Sequence, residues 1–198
     1  VERLREVVAA YVGRVRGAVA DAGNIVICAG FAQGVGLVLR ALAGKRIGFE
    51  RPLLDELALA GLLLDIGKVS VPVTILAKSE PLTGHERGFV ERHVRRGLYM
   101  VRSASPVSET GEDAVLGHHE RLDGSGYPRG LRGTQIPLPA RLAGLADTYD
   151  AMLQDRRYAQ AVAAHDAMRL VNRMCGRKFD TAIVRSFMRA LGLFPTGS

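Results

Sequence analysis

The chain has 198 residues, 47% of them apolar and 24% charged, with a formal net charge of +7 and a pI near 9.9. That length suits about one domain and can bury a core without disulfide staples, while the composition excludes a collagen period, a low-complexity tract and a disordered polar chain. No apolar run approaches the 18 or so residues of a membrane span, because stretches such as Leu57 to Leu64 are short and broken by glycine.

The N-terminal segment, residues 1–20, places Val1, Val8 and Val15 on one seam and Leu4, Tyr11 and Ala18 on the other. It reads as an amphipathic helix, residues 1–22, that packs on its own domain or serves as a linker or homodimerisation helix. It is charged throughout and is no signal peptide. The chain opens on Val1, which suggests a piece cut from a longer protein, with processing or trimming as alternatives. Residues 23–198 read as a single domain. Ile25 to Ala43 and Arg51 to Leu64 are expected as buried helices, Val69 to Pro72 as a short extended turn, and Thr83 to Arg102 as one helix opened by a Thr83–Glu86 capping box. Glu112 to His119 is expected as a short helix and Arg121 to Pro139 as a long Gly/Pro-rich ordered loop. Pro139 to Leu153, Ala161 to Met174 and Phe179 to Leu191 close the chain as helices. Period-2 strand patterns are nearly absent, so the fold class is all-α.

The two cysteines, Cys28 and Cys175, are far apart, which excludes a disulfide scaffold and fits a reducing, cytoplasmic setting. No CxxC is present to form a thiolate zinc site. The positive charge fits either a solvated basic surface or an anionic partner such as a nucleotide. The basic residues are scattered without a basic–aromatic motif, which argues against duplex nucleic acid.

Three clusters could carry chemistry. Asp65 directly follows Leu62-Leu63-Leu64, a carboxylate at the end of a buried helix that needs a cation, a metal or several donors, and Lys68 is three residues on. Asp147 follows a helix face of Leu142, Leu145 and Ala146 and is expected to point inward. His118 and His119 are adjacent and precede a glycine loop; both can reach one metal only where the site lies in a cleft between helices. Carboxylates and imidazoles together suit iron, manganese or zinc.

The string His118-His119-Glu120-Arg121-Leu122-Asp123-Gly124-Ser125-Gly126-Tyr127-Pro128 is far more specific. It resembles the HD-GYP family of cyclic-di-GMP phosphodiesterases, in the HD superfamily. The likeness runs on through Arg129-Gly130-Leu131, Ile136-Pro137-Leu138, Ala140-Arg141, Asp147 to Ala151, Asp155-Arg156 and Tyr158, and upstream through Asp65-Ile66-Gly67-Lys68, His93 and Gly97. It covers about residues 24 to 195 and implies a helical bundle of roughly seven or eight helices with a long GYP loop.

The resemblance implies a metal cluster with Asp65, His93, His118, His119 and Asp147 as ligands, and Asp65 and Lys68 as the catalytic pair. It also implies a ligand surface of Lys68, Arg121, Asp123, Gly126, Tyr127, Pro128 and Arg156. Two family histidines are missing. Leu64 stands at the HD histidine, and no histidine precedes His85, so the early-helix ligand expected near Phe31-Ala32 is absent. One metal position keeps only Asp65 and Asp147, whereas the other keeps Asp65, His93, His118 and His119. The expectation is at most one divalent transition metal per chain, iron or manganese, with an empty site in which Asp65 pairs with Lys68 as the alternative. Two metals activate a bridging water jointly and clamp the attack from both sides. A chain with one would serve as a degenerate regulatory module in bacterial cyclic-di-GMP signalling, binding the nucleotide, or a signalling partner at the GYP loop, with little or no hydrolysis. The competing reading is an active phosphodiesterase giving pGpG or GMP. Arg157 and Thr181 stand where the family usually has proline.

Overall fold

Residues 51–104, 107–154 and 161–191 are described by the computed structural model. Their order is α1 (Arg51–Leu63), a 3₁₀ turn (Ile66–Ser70), α2 (Val73–Leu76), α3 (Gly84–Glu91), α4 (His93–Ala104), α5 (Glu109–Gly117), a 3₁₀ turn (Gly133–Gln135), α6 (Leu138–Leu153), α7 (Ala164–Met174) and α8 (Thr181–Ala190). Among the described residues there is no strand, only two isolated bridges, Asp123 with Arg132 and Cys175 with Phe179. The all-α expectation holds. The expectations for residues 1–22, the early helix 25–43 and Arg156 lie outside the described residues.

Helix α6 is the central element. Leu142, Leu145, Ala146 and Tyr149 recur at helical spacing and are buried, so one face of α6 meets α5 and α7. Leu57, Ala60 and Leu63 of α1, Val94, Leu98 and Val101 of α4, Ala114 and Val115 of α5, and Met168 and Val171 of α7 complete the core. Phe187 of α8 meets Tyr149 edge-on at 5.1 Å between ring centroids. Burying a side chain of that size contributes about 1.5–3 kcal/mol.

Several elements differ from the sequence reading. The segment expected as one helix from Thr83 to Arg102 breaks at Arg92. Val90 O, which a continuous helix would offer to the backbone four residues on, instead accepts from the Arg92 N–H and lies 2.7 Å from His93 Nδ1. Residues 69–72 are not a simple extended turn, because 66–70 form a 3₁₀ turn and Val73–Leu76 a single helical turn. The short helix begins at Glu109 rather than Glu112, since Ser108 caps it by accepting from Gly111 N at 3.2 Å, and it ends at Gly117 rather than His119. Its successor loop holds the 3₁₀ turn 133–135. The capping box at Thr83 and Glu86 forms as expected and is joined by Lys78, which donates to both Glu86 oxygens at 2.9 and 2.8 Å.

Gly67 sets how closely the first 3₁₀ turn approaches α4. A Cβ there would lie 1.9 Å from His93 O and 2.5 Å from Gly97 N, so only glycine lets the two backbones touch. Arg96 adds a clamp, donating to Ser70 O and Ser70 Oγ, each at 3.0 Å. This contact carries Asp65 against His93.

Candidate functional site

Asp65 ends the α1 segment, His93 opens α4, and His118 and His119 follow the last turn of α5. One ligand atom from each of the four lies within 4.8 Å of the others. Asp65 Oδ1 is 3.1 Å from His93 Nε2 and 3.8 Å from His118 Nε2, while its other oxygen pairs with Lys68 Nζ. His93 and His118 are fully buried. The adjacent imidazoles do reach one place, their ring centroids 4.0 Å apart.

Hydrogen bonding fixes the tautomers. His93 Nδ1 lies 2.7 Å from Val90 O and His118 Nδ1 lies 2.9 Å from Val115 O. A carbonyl only accepts, so each Nδ1 carries a proton, and in the neutral ring each Nε2 presents a lone pair. The 3.1 Å approach of His93 Nε2 to the carboxylate is then lone pair against lone pair. Asp65 Oδ1 and the Nε2 atoms of His93, His118 and His119 are buried without a hydrogen-bond partner. Burial tends to raise the Asp65 pKa, but the Lys68 ammonium beside it holds it well below the usual carboxylate value. Burial, and then His118, push the His119 imidazole far below its ordinary value, so that ring is neutral.

Unpaired buried acceptors are costly. Here an anionic oxygen and three imidazole nitrogens point at one another with nothing between them to donate. A cation resolves that arrangement, and one oxygen with three nitrogens is a donor set that suits iron, manganese or zinc. The residues present therefore fit a divalent transition metal. Asp147 stands outside the four. Its Oδ2 lies 3.9 Å from His119 Nδ1, within ion-pair range but too long for a hydrogen bond. From there its charge faces the ring nitrogen other than the one in the cluster.

The loop that follows is packed directly on the histidine pair. Tyr127 stacks on His119, with centroids 4.6 Å apart and planes 29° from parallel. A Cβ at Gly126 would lie 2.4 Å from His119 O and 2.5 Å from Arg121 N, so the loop backbone runs against the His119–Arg121 backbone. The Tyr127–Pro128 peptide is cis. Burial, and then the nearby Asp65, Glu91 and Asp147 carboxylates, raise the Tyr127 phenol pKa, which keeps it a hydrogen-bond donor.

Other expected ligand-surface residues take scaffold positions. Arg121 donates from Nη1 to His118 O at 2.8 Å and Glu120 O at 2.7 Å, and from Nη2 to Thr148 Oγ1 at 3.1 Å, and it lies over the Phe179 ring. These bonds tie the end of α5 to α6. Asp123 Oδ1 accepts from Ser125 N at 3.0 Å and Ser125 Oγ at 2.6 Å and so shapes the loop. Sequence reading gave Glu120 no role. It is 4% exposed and accepts from Arg129 N at 2.8 Å and Leu131 N at 2.9 Å, which pins the far side of the GYP loop. The signal available was the loop itself: a long stretch without regular structure must find partners for its backbone N–H groups, and Glu120 is the carboxylate at its root.

Comparison with known proteins agrees with this geometry. The HD domain family matches residues 20–183. A cyclic di-GMP phosphodiesterase of Pseudomonas aeruginosa is 40% identical over 88% of this chain and 40% of its own length. A 3′3′-cGAMP-specific phosphodiesterase of Vibrio cholerae is 39% identical over 67% of this chain and 31% of its own. The chain thus spans well under half the length of these curated relatives. A solved HDG"Y"P protein from Bdellovibrio bacteriovorus superposes with a TM-score of 0.64 at 21% identity, over 82% of this chain and 51% of that one, and shares the fold. Among the described residues no helix is long and apolar enough to cross a membrane. With the match spanning most of the chain and the HHE and GYP strings built into one pocket, the chain belongs to the HD domain family, in its HD-GYP branch.

Proposed function

We propose that this chain is a cyclic-dinucleotide-binding regulatory domain that holds one divalent transition metal, iron or manganese, on Asp65, His93, His118 and His119, with little or no hydrolysis. The observation that carries this reading is the convergence of four unpartnered ligand atoms, one from each residue. Relatives named for cyclic di-GMP and 3′3′-cGAMP support a cyclic dinucleotide as the ligand. Low hydrolysis is supported by Leu64. It is 1% exposed and belongs to the apolar core, and its hydrocarbon offers no lone pair to a second metal beside Asp65 and Asp147.

In this reading the metal, when bound, supplies Lewis-acid polarisation of a phosphodiester oxygen. The protein does the rest. His93 and His118 are held in the lone-pair-inward tautomer by Val90 O and Val115 O. Lys68 keeps Asp65 ionised and places an ammonium where a phosphodiester approaches. Tyr127 covers the His119 ring and limits water on that side. Asp147 sets a negative charge 3.9 Å from the other nitrogen of His119. The GYP loop, pinned by Glu120, is also the surface a signalling partner would meet.

An active phosphodiesterase is the second reading, favoured by the completeness of the four-residue set and by relatives named phosphodiesterases. One preparation separates the two. The chain is purified without oxygen, its metal content is measured, and it is then incubated with cyclic di-GMP and manganous or ferrous ion. The expected result is no more than one metal per chain, calorimetric binding of the dinucleotide, and product formation far below about 1 s⁻¹, the low end of ordinary enzyme turnover. Two tightly held metals, or turnover near that value, establish the second reading.

A further inference from the structure

Beside the metal cluster lies a cleft of about 700 Å³ between α3, the segment before it and the GYP loop. Its inner wall is Tyr127, the ring stacked on His119. Pro81, Leu82 and Val90 give it apolar faces, and Arg87 and Glu91 give it opposite charges. Those two lie one helical turn apart on α3, an i, i+4 spacing at which ion pairs commonly form. Here neither side chain has an ion-pair or hydrogen-bond partner among the described residues, so both fork and carboxylate remain available to a ligand. The volume is that of a small-molecule site, and apolar walls with few polar groups are its usual make-up.

We infer that this cleft is a guanine-reading subsite, in which Arg87 and Glu91 choose guanine over adenine in a bound cyclic dinucleotide. The inference rests on the proposed dinucleotide binding and adds the base preference. Guanine presents acceptors at O6 and N7, which a guanidinium meets with two parallel N–H donors. On its other edge it presents N1–H and the N2 amino group, both donors, which match a carboxylate. Adenine spoils both contacts: its N6 amino group replaces O6 and leaves the arginine only N7, and its N1 lone pair faces the glutamate. An adenine in the cleft leaves charged groups unpaired, and rejection of that kind is stronger than the loss of an apolar contact. Pro81, Leu82 and Val90 cover the base faces, and Tyr127 places the base next to the metal cluster.

The test is calorimetric titration of the full 198-residue chain, with manganous ion present, using cyclic di-GMP, 3′3′-cGAMP and cyclic di-AMP. One cleft per chain needs one guanine. Cyclic di-GMP and 3′3′-cGAMP should therefore bind within a few-fold of each other, and cyclic di-AMP more weakly by about tenfold or more, within the roughly five- to 150-fold range expected from one good bidentate contact. In Glu91→Ala and Arg87→Ala the ratio should shrink to about threefold or less. Glu91→Ala also removes a negative charge, so a purely electrostatic role would tighten all three ligands alike and leave the ratio unchanged. Equal binding of cyclic di-GMP and cyclic di-AMP by the unaltered chain, or a ratio that survives both substitutions, overturns the inference while dinucleotide binding stands. Binding of none of the three overturns the proposed function itself, and this inference with it.

Discussion

Glu120 and the pair His118-His119 are neighbours in the chain and are largely buried, yet their polar atoms are treated in opposite ways. Each Glu120 oxygen takes a backbone N–H, from Arg129 and from Leu131, so the protein completes that site itself. The histidines, together with Asp65 and His93, leave four buried atoms with no donor. A buried carboxylate that serves the scaffold is supplied with hydrogen bonds in full. A cluster left short of a positive charge is incomplete in a specific chemical sense, and the missing component has to come from outside the chain. The contrast separates structure from function within three residues, where burial alone would group them together.

Four expected outcomes break or sharpen that contrast. Gly67→Ala should have the largest effect. The new methyl meets His93 O and Gly97 N, both backbone atoms that cannot swing aside. A loss of about 3 kcal/mol or more in urea unfolding is expected, since overpacking a rigid contact costs that much, and metal affinity should fall with it. Asp65→Asn should lower metal affinity at least about 100-fold, some 2.7 kcal/mol. In chelator the same variant should be as stable as the parent or slightly more so, because an amide can donate to a lone-pair nitrogen. A large loss of stability in chelator would mean that the four residues are scaffold, like Glu120. Glu120→Ala should do the reverse. It should cost about 2 kcal/mol by stranding two backbone donors and speed hydrogen exchange at Arg129 and Leu131, while leaving metal stoichiometry unchanged. The smallest effect concerns Glu86, a half-buried surface carboxylate that is nonetheless fully partnered. Lys78 first, then Thr83, lower its pKa from 4.5 to about 2. Its contribution is therefore complete above pH 4.5 and disappears as pH falls toward 2. Glu86→Gln should separate from the parent in urea midpoint at pH 6 and converge with it near pH 2.

What could be read from the sequence was what depends on local pattern. The Thr83–Glu86 box needs only residues three apart, and it formed. Asp65 after an apolar run and the adjacent histidines stood out by residue type, and the HHE and GYP strings linked them to a family. Other features depend on contacts between distant segments. The break at Arg92 follows from where the His93 ring turns, and nothing in the helical periodicity of 83–102 encodes that. The family resemblance put Arg121 on the ligand surface, and its bonds to His118 O and Thr148, which depend on how α5 meets α6, are not written in the local pattern. Asp147 had the apolar face expected of an inward carboxylate, but its place behind His119 rather than among the four is set by the helix crossing. The Arg87–Glu91 cleft exists because residues 79–82 fold across from Tyr127, 45 or more residues later in the chain.

The four ligand positions also matter for how long the chain persists. Asp65, His93 and His118-His119 come from three segments separated by 28 and 25 residues, read directly from their numbers. A cation seated on them would cross-link those segments in the folded state, much as a staple closes two loops at once. At a thousand times its dissociation constant such an ion adds about 4 kcal/mol to unfolding. Opening of the chain, and with it exposure to cellular proteases, would then follow the supply of free metal.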